Sequence, residues 1–378
     1  MIDSVAREVA GIAAEHADDV DRLARFPSEA IGALREAGLL YAGVSLRELV
    51  AITETLGAAC ASTAMTFAMH HIQLACLLRH GESEGLRRFT EQASGERWLL
   101  ASATSEAGVG GDIRTSIAAL IVEGDGYRVD KKASTISYGA HADAVLATAR
   151  RHPDAAPGDQ VLVVVPVGGS RMEQLSDWDT LGMRGTCSAG FRLTALVPTV
   201  NVFPHPFDRI LRETMLPFSH ILWAACWVGI AGSALSRARV FLRRRERAKP
   251  GAASAATARL ARAYGRLQMA GSMVAAAAEQ FDRKAGDRPE RWSTDLQLAN
   301  VKVAVSEIAG EVTFEALTVC GIAGYQERGP ASIARHLRDV LSAPMMVANE
   351  RLLATGAGLL MSHKEEAPIL GSGAVDRV

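Results

Sequence analysis

The sequence predicts an α+β protein in which an N-terminal α-helical domain and a C-terminal four-helix bundle flank a central antiparallel β barrel or sandwich. Apolar residues recur at helical spacing up to about residue 97, alternate in short runs to about 207, and then return to helical spacing. The chain has 378 residues, more than the roughly 250–300 that one hydrophobic core usually holds. We therefore expect domains at 1–97, 98–207 and 208–363, followed by a polar tail at 364–378.

The first 97 residues carry clear helix signals. Apolar side chains recur at helical spacing over residues 5–13, and Pro27 suits the first turn of a second helix. Gly38 indicates where that helix ends. Two further apolar stretches, at 46–56 and 63–78, predict longer helices.

The central region reads as strands and the C-terminal region as four long helices. Glycine, proline and aspartate separate short β-branched runs, which predicts strands near 118–122, 127–129, 144–149, 161–167 and 191–197. Beyond residue 208, segments rich in Ala, Leu, Arg and Glu predict helices at 211–245, 252–287, 293–322 and 329–362. Short connections between long helices are typical of an up-down bundle.

The composition argues against several classes of function. The chain has 41 basic and 42 acidic residues, so no overall positive field favours nucleic-acid binding. Five widely spaced cysteines form neither a disulfide framework nor a zinc pattern, and we expect no metal. The N-terminus lacks the pattern of a signal peptide, and the longest apolar run, 221–235, is shorter than a membrane span of roughly 20 residues. We expect a cytoplasmic protein without a membrane partner.

Four segments, in the same order, are similar to motifs of one enzyme family. Residues 24–40 look like its first helical hairpin, and residues 178–188 resemble its W-x-x-x-G-M-R-x-T-x-S stretch. Residues 321–325 stand where it has a glycine-rich turn, and residues 335–339 resemble its R-x-x-R-D motif. The chain thus resembles the acyl-CoA dehydrogenase superfamily from about Phe26 to about Leu360. The resemblance implies a flavin-dependent oxidoreductase that acts on an acyl thioester and assembles as a homotetramer or homodimer.

Two loops of the central region resemble the family's flavin contacts. Residues 102–112 look like its T-E-P-x-A-G-S-D loop, and residues 134–138 look like its second contact strand. Small hydroxyl residues and glycines suit a flat ring with a polar edge. The resemblance implies that Glu106 holds the first loop and that the flavin contacts Thr104, Ser105, Gly110, Gly111, Thr135, Ile136 and Ser137.

The adenosine half of the cofactor is matched less well. The family's R-x-x-F-G pattern becomes residues 247–251 here, without the phenylalanine, so Arg247 is the residue carried over. Gly321 is carried over from the glycine-rich turn. The resemblance implies FAD, with FMN or a diffusible reduced flavin as alternatives.

The usual catalytic glutamate is missing. Counting from Arg338 and Asp339, its position holds Val347, and the alternative position on the first bundle helix aligns near Leu222. Neither side chain accepts a proton. The nearest titratable groups are Glu350 and His220, which we name as candidate bases.

Both candidate bases have structural alternatives. Glu350 is an equally reasonable ion-pair partner of Arg351 or Arg338, and His220 lies among apolar residues where a hydrogen-bonded core histidine is common.

Four residues are candidate substrate contacts: Gly111, which replaces a serine of the family loop, and His71, Arg184 and Asn349. His70 and His71 are adjacent in the helix, so their rings diverge and do not form a metal pair.

Three functions stay open. The first is oxidation of an acyl thioester of CoA or a carrier protein, with an electron-transfer partner. The second is a reduced-flavin-dependent monooxygenase supplied by a flavin reductase, which needs no carboxylate base. The third is a catalytically inactive scaffold subunit.

Overall fold

The N-terminal region is helical, as its apolar periodicity predicts. The computed structural model describes residues 2–249, 251, 254–283 and 291–362. The predicted helices near 5–13, 27–38, 46–56 and 63–78 are present, and the sequence prediction missed a fifth. The helices are α1 Ile2–Arg22, α2 Ser28–Glu36, α3 Leu46–Ala59, α4 Ala61–His80 and α5 Glu84–Gly95.

A capping box fixes the start of α3 and joins it to the bundle. The Ser45 hydroxyl accepts a hydrogen bond from the Glu48 backbone, and the Glu48 carboxylate accepts one from the Ser45 backbone. Asp282, from the C-terminal region, accepts bonds from the backbone N–H groups of Leu46 and Arg47, both at 3.2 Å. The first turn of α3 is therefore satisfied by groups from two parts of the chain.

The central region forms two stacked four-stranded sheets, which is the sandwich alternative of the prediction. Within the described residues the strands do not close into a barrel, and the sheet orders are β1-β4-β5-β8 and β2-β3-β7-β6. The strands are β1 Leu100–Ala103, β2 Ile121–Glu123, β3 Gly126–Ala133, β4 Ala144–Arg150, β5 Gln160–Pro166, β6 Ser170–Gln174, β7 Phe191–Pro198 and β8 Val202–Pro206.

One strand pair corrects the antiparallel prediction. β1 and β4 pair in parallel, with Leu100 opposite Ala144. A parallel pair requires a long crossover connection, and the chain between these two strands supplies it by building β2 and β3 of the other sheet. The two central strands β4 and β5 are buried along almost their whole length, whereas β7 alternates between buried and exposed positions. The sheet that contains β4 is therefore covered on both faces.

The C-terminal region contains three long helices, and the fourth predicted helix is broken. The long helices are α7 Leu216–Ala248, α8 Ser254–Arg283 and α9 Arg291–Cys320, preceded by α6 Phe207–Ile210 and a π-helical turn at Leu211–Met215. The stretch predicted as one helix at 329–362 instead holds α11 Ala334–Val340 and α12 Asn349–Ser362, after the short α10 Ile322–Tyr325. The predicted tail at 364–378 lies outside the described residues, and the predicted domain boundaries stay predictions.

The break before α12 has a local cause. Pro344 has no backbone N–H to donate, and Val347 adopts a positive φ of 50° that a helix does not allow. The turn is closed by the Asn349 N–H, which donates to the Pro344 carbonyl at 3.1 Å. We refer to residues 341–348 as the 341–348 turn.

Helix α7 runs through the centre of the molecule. It is buried from Pro217 to Ala231 and crosses α3 so closely that a Cβ on Gly229 would lie 2.2 Å from the Glu54 carbonyl oxygen. The stretch Phe207–Ala248 is long and apolar enough to cross a membrane, but 89% of its most apolar window is buried within the protein. This burial is typical of the core helix of a helical bundle.

Candidate active site

Hydroxyl side chains from two separate loops meet at one edge of the β domain. The Ser105 hydroxyl donates to the Thr135 carbonyl at 2.9 Å and accepts from the Thr135 N–H at 3.2 Å. These two residues and the neighbouring Thr104 and Ser137 are half-buried or exposed. We call Thr104, Ser105, Thr135 and Ser137 the hydroxyl edge.

A third segment extends the hydroxyl edge inward. The Ser188 hydroxyl donates to the Ser137 hydroxyl at 2.9 Å and lies 2.8 Å from the hydroxyl of the buried Thr186. Residues 186–188 belong to the sequence stretch 178–188 that resembles a family motif. The structure therefore brings three of the segments chosen from the sequence into direct contact.

Tyr138 fixes the shape of the edge. Its backbone is in the left-handed region, with φ 43°, and its hydroxyl donates to the Leu100 carbonyl at 2.8 Å. Its N–H donates to the Thr186 carbonyl, and the Ile136 N–H donates to the Ala189 carbonyl. The Ile136 side chain is fully buried in the core beneath the edge, and its predicted contact with the cofactor stays a prediction.

Glu106 anchors the loop that carries Thr104 and Ser105. Its carboxylate accepts bonds from Lys131 Nζ at 2.9 Å, the Ser116 hydroxyl at 2.6 Å and the backbone N–H groups of Ile117 and Ala118. Burial raises the pKa of Glu106, but these donors, led by Lys131, hold it below its ordinary value. The ionised carboxylate thus keeps the loop in place, as the resemblance implies.

Arg351 ties the same loop to the helical bundle. Its guanidinium donates to the carbonyl oxygens of Gly110 at 2.8 Å and Gly111 at 2.6 Å. Both glycines have positive φ, 62° and 75°, which turns their carbonyl groups away from ordinary strand geometry. The first turn of α12 therefore lies against the glycine end of the loop, and sequence reasoning gave Arg351 no part in this contact.

A buried lysine holds the residue at the missing base position. Lys302 of α9 is fully buried, and its ammonium donates to the Val347 carbonyl at 3.0 Å and to the Asn349 side-chain oxygen at 2.7 Å. It also lies 5.7 Å from the ring centre of Trp227. Burial lowers the pKa of Lys302 to about 8, against the opposing effect of Glu350 and Glu307. Sequence analysis missed Lys302 because a lysine in a helix usually faces solvent.

The structure weakens His220 as a base. The ring is buried in the core, as the structural alternative predicts, and among the described residues neither nitrogen has a hydrogen-bond partner of good geometry, so its predicted hydrogen bond stays a prediction. Burial, helped by the charge of Lys302, lowers its pKa to about 4, although the nearby Leu298 backbone opposes part of the shift. His220 is therefore neutral at pH 7, and a group with this pKa is a weak base there.

Glu350 is the remaining carboxylate candidate. It is exposed at the start of α12, and within the described part of the chain it forms no ion pair with Arg351 or Arg338. Arg351 binds the Gly110 and Gly111 carbonyls, and Arg338 pairs with Asp21 and Glu327. The ion-pair alternative is therefore wrong for these two partners. Leu222, at the alternative base position, is fully buried in the core.

Three of the predicted substrate contacts, His71, Asn349 and Arg184, have side chains that bond to partners inside the protein. His71 Nε2 lies 3.0 Å from the Leu39 carbonyl, and its ring is buried. The Asn349 amide accepts from Lys302 and donates to the Ser306 hydroxyl at 3.0 Å. A substrate that used these groups would have to displace those bonds.

His70, next to His71, is also part of the fold. Its Nε2 lies 2.7 Å from the Leu40 carbonyl, and its Nδ1 accepts from the Leu100 N–H at 3.1 Å. Since a backbone N–H is always a donor, the ring is neutral with the proton on Nε2. His70 therefore connects α4 to β1.

The two most specific sequence motifs meet in a structural joint formed by Gly182, Met183, Arg338 and Asp339. The Met183 N–H donates to the buried Asp339 carboxylate at 2.7 Å, and a Cβ on Gly182 would lie 2.1 Å from the Arg338 carbonyl oxygen. Arg338 pairs with Asp21 at the end of α1. We call this contact the Gly182 joint.

Arg184, the third predicted substrate contact with an internal partner, adjoins this joint. Its guanidinium donates to the Asp21 carbonyl at 2.9 Å and to the Thr180 carbonyl at 2.7 Å. The family signature at 178–188 therefore connects the β domain to α1 and α11.

The residues predicted for the adenosine half lie at the C-terminal ends of α7 and α9. Arg247 is exposed in the last turn of α7, about 40 Å along the helix from His220 at 1.5 Å per residue. Gly321 has a φ of 58° and forms the junction between α9 and α10. Their role in cofactor binding stays a prediction.

Two depressions of about 540 and 500 Å³ lie elsewhere on the surface. The first is bounded by Asp3, Glu54 and Gly229, and the second covers the outer face of the sheet that contains Asp130 and Arg192. Neither is lined by the hydroxyl edge, which is formed by exposed and half-exposed residues. Within the described residues, no group of three His, Cys, Asp or Glu side chains is arranged to hold a metal ion.

Fold and site together define a three-part chain in which a β domain that carries the hydroxyl edge lies between two helical regions. The chain belongs to the acyl-CoA dehydrogenase superfamily. The family's N-terminal domain matches residues 1–96, and its C-terminal domain matches residues 209–347, together more than half of the chain.

Relatives with different reactions are similar to nearly the whole chain. It is 26% identical to cyclohex-1-ene-1-carbonyl-CoA dehydrogenase of Geobacter metallireducens, over 95% of both chains. It is 24% identical to SfnC of Pseudomonas putida, a probable FMNH2-dependent monooxygenase, over 80% of both chains. The fold matches FMN-bound TdsC from Paenibacillus sp. A11-2 with a TM-score of 0.85 and 21% identity, over 97% of this chain and 98% of that one.

Proposed function

We propose that this protein is a flavin-dependent oxidoreductase whose flavin ring binds at the hydroxyl edge. The observation that carries the proposal is the convergence of hydroxyl groups from three segments, joined through the contacts Ser105–Thr135 and Ser137–Ser188. Hydroxyl groups both donate and accept hydrogen bonds, so they match the carbonyl and N–H groups at the polar edge of a flavin. The relative SfnC, a probable FMNH2-dependent monooxygenase, supports a flavin in this chain.

The residues around the edge would hold the ring and shape its surroundings. Thr104, Ser105, Thr135 and Ser137 would contact the polar edge, and Glu106 with Lys131 keeps their loop in place. Arg351 fixes the glycine end of the same loop against α12. A bound flavin would supply a group that accepts or delivers a hydride, or that reacts with oxygen.

The geometry favours a reduced-flavin-dependent monooxygenase over a dehydrogenase. Removal of a proton next to a thioester needs a base of adequate pKa, and the two positions where the superfamily places it hold Val347 and Leu222. His220 is neutral and buried, with a pKa of about 4. A monooxygenase on this scaffold requires no carboxylate at either position.

Oxidation of an acyl thioester is the second candidate, and Glu350 is the observation in its favour. This carboxylate is exposed and forms no ion pair with Arg351 or Arg338. It is adjacent in sequence to Arg351, which contacts the Gly110 and Gly111 carbonyls. For this reaction we propose a thioester of CoA or a carrier protein and an electron-transfer partner. For the monooxygenase we propose a flavin reductase as partner. A cytoplasmic homo-oligomer fits both.

Anaerobic titrations test the proposal. We expect the protein to bind reduced FMN more tightly than oxidised FAD, measured by the change in flavin absorbance and fluorescence. Binding of FAD that is bleached without oxygen by a panel of acyl-CoA thioesters would instead establish the dehydrogenase. If neither flavin binds in either oxidation state, the proposal fails and the scaffold subunit remains.

Variants locate the flavin. The double substitution Thr135→Val with Ser137→Ala should weaken flavin binding at least about tenfold, because two hydrogen-bonding groups at the proposed polar edge are lost. Ser170→Ala is the matched control, since Ser170 is a half-buried hydroxyl of β6 that bonds only to Val167 within the described residues. Equal binding by the double variant and the control would place the flavin elsewhere.

A further inference from the structure

Lys302 is a buried ammonium without a carboxylate partner among the described residues. The other fully buried lysine, Lys131, pairs with the Glu106 carboxylate at 2.9 Å. Lys302 instead donates to two neutral oxygens, the Val347 carbonyl and the Asn349 amide. Removing a charge from water without a counter-charge is strongly unfavourable, so a chain that only needed packing would place an apolar residue here.

The two oxygens that Lys302 binds belong to the 341–348 turn and to the first residue of α12. Val347 has φ 50°, and a β-branched residue in this region is strained by about 1–3 kcal/mol. Such a conformation persists only when its surroundings enforce it. The Lys302 ammonium on the Val347 carbonyl and the Asn349 N–H on the Pro344 carbonyl are the contacts that do so.

The partners of Lys302 are themselves held by further contacts. The Asn349 nitrogen donates to the Ser306 hydroxyl at 3.0 Å, which in turn donates to the Val303 carbonyl one turn along α9. Trp227 of α7 presents its ring to the ammonium at 5.7 Å. The charged and titratable groups that influence Lys302 are Glu350 on α12, Glu307 on α9 and His220 on α7.

We propose that Lys302 is a positioning residue of the candidate active site. Its ammonium holds the Val347 backbone and thereby fixes the position of the residue that stands where the family has its base. The inference rests on the proposed flavin site, because Val347 can lie next to the reacting groups only if a flavin binds nearby. The link between the 341–348 turn and that site is Arg351, which follows in α12 and clamps the Gly110 and Gly111 carbonyls. Lys302 and Arg351 thus both hold the short segment at residues 347–351, Lys302 through Val347 and Asn349 and Arg351 through its own side chain.

Lys302→Met tests the proposal, because it keeps the apolar stem and removes the charge and both hydrogen bonds. We expect amide hydrogen exchange over residues 343–349 to accelerate at least about tenfold, since hydrogen bonds from a charged donor are lost. Lys302→Arg keeps a charged donor and should restore most of the protection. The matched control is Thr313→Val, which removes a buried hydrogen bond to Ala309 on the same helix, about 16 Å away along α9.

A spectroscopic readout separates positioning from general stabilisation. With FMN or FAD bound, Lys302→Met should shift the flavin absorbance or fluorescence relative to wild type, while Thr313→Val should not. In the wild type, the protection of 343–349 should fall as the pH rises through about 8, because burial lowers the pKa of Lys302 to that value. Lys302→Met should lose this pH dependence.

The outcomes distinguish this inference from the proposed function. If the wild type binds no flavin, the proposed function fails and the inference falls with it. If the wild type binds flavin but Lys302→Met behaves like Thr313→Val in both exchange and spectrum, only the role of Lys302 is overturned. Should Lys302→Met not fold, Ser306→Ala replaces it: it removes the second partner of Asn349 and should accelerate exchange at residue 349, and unchanged exchange there would likewise overturn the inference.

Discussion

Val347 and Leu222 stand where members of the superfamily carry a carboxylate, and Glu350, three residues after Val347, is the nearest carboxylate in the sequence. His220 is buried and neutral, and among the described residues its ring has no hydrogen-bond partner of good geometry. Glu350 is exposed at the start of α12. The chemistry of single residues therefore decides between the two candidate reactions.

Glu350→Gln tests the carboxylate candidate that lies exposed at the start of α12. If the protein is a monooxygenase, we expect turnover to change by less than about twofold, because no proton is taken up by this side chain. A general base contributes roughly 100- to 10,000-fold, so a loss of that size would assign the role to Glu350. Steady-state turnover with a flavin reductase, and separately with acyl-CoA thioesters, provides the measurement.

Glu246→Gln is the control for that substitution. Glu246 is an exposed glutamate of the last turns of α7 and bonds to the Gly251 N–H at 2.6 Å. Turnover should be unchanged by it, and a similar loss in both variants would indicate an indirect effect of lost charge.

At the scale of elements, the positions that the sequence predicts well are those with a local cause. The apolar period gave α1, α3 and α4, and the glycine- and aspartate-rich turns gave the positions of β3, β4 and β7. β1 was missed because a four-residue strand carries little pattern, and its parallel partner β4 lies more than 40 residues away. No local signal specifies such a pair.

The break in the fourth predicted bundle helix also depends on a residue that is distant in the sequence. The sequence at 329–362 favours a helix by composition, but the Val347 backbone is held at positive φ by Lys302, which is 45 residues earlier. The hydroxyl edge was predictable by resemblance because its residues keep the family's small polar types. The contacts of Lys302 and Arg351 were not predictable, since Arg351 binds backbone carbonyl groups and Lys302 binds one backbone carbonyl and the side chain of Asn349, 47 residues away.

Gly182→Ala tests whether the family signature acts as a structural joint. The new Cβ would lie 2.1 Å from the Arg338 carbonyl oxygen. Because both atoms are attached to the backbone and no side chain can rotate away, α11 would have to move away from the β domain. We expect the free energy of unfolding to fall by about 1–3 kcal/mol. Chemical denaturation monitored by tryptophan fluorescence measures the change.

Gly169→Ala is the matched control within the same domain. Gly169 is exposed, has no heavy atom within 4 Å of its Cβ position and has no positive φ. Its substitution should change stability by less than about 0.5 kcal/mol. Equal effects at the two positions would contradict the Gly182 joint.

At the scale of the whole molecule, buried titratable groups make stability depend on pH in two opposing directions. Burial lowers the pKa of His70 and His220 to about 4. Their contribution to the free energy of unfolding is therefore complete above about pH 6.5 and is lost as the pH falls towards 4. Burial raises the pKa of Asp339 to about 6, against the Met183 N–H and Arg335. Its contribution is therefore complete below pH 3.8 and is lost as the pH rises through 6.

Two substitutions should separate these contributions by sign. His220→Leu removes a buried ring without hydrogen bonds of good geometry, so the loss of stability between pH 6.5 and 4 should shrink by about 3 kcal/mol. Asp339→Asn keeps an acceptor for the Met183 N–H but no longer titrates, so the same acidification should cost about 3 kcal/mol more than in wild type. Urea unfolding at half-unit pH steps measures both. Parallel curves for the wild type and both variants would show that neither group changes its pKa on folding, and the lowered pKa that argues against His220 as a base would then have to be given up.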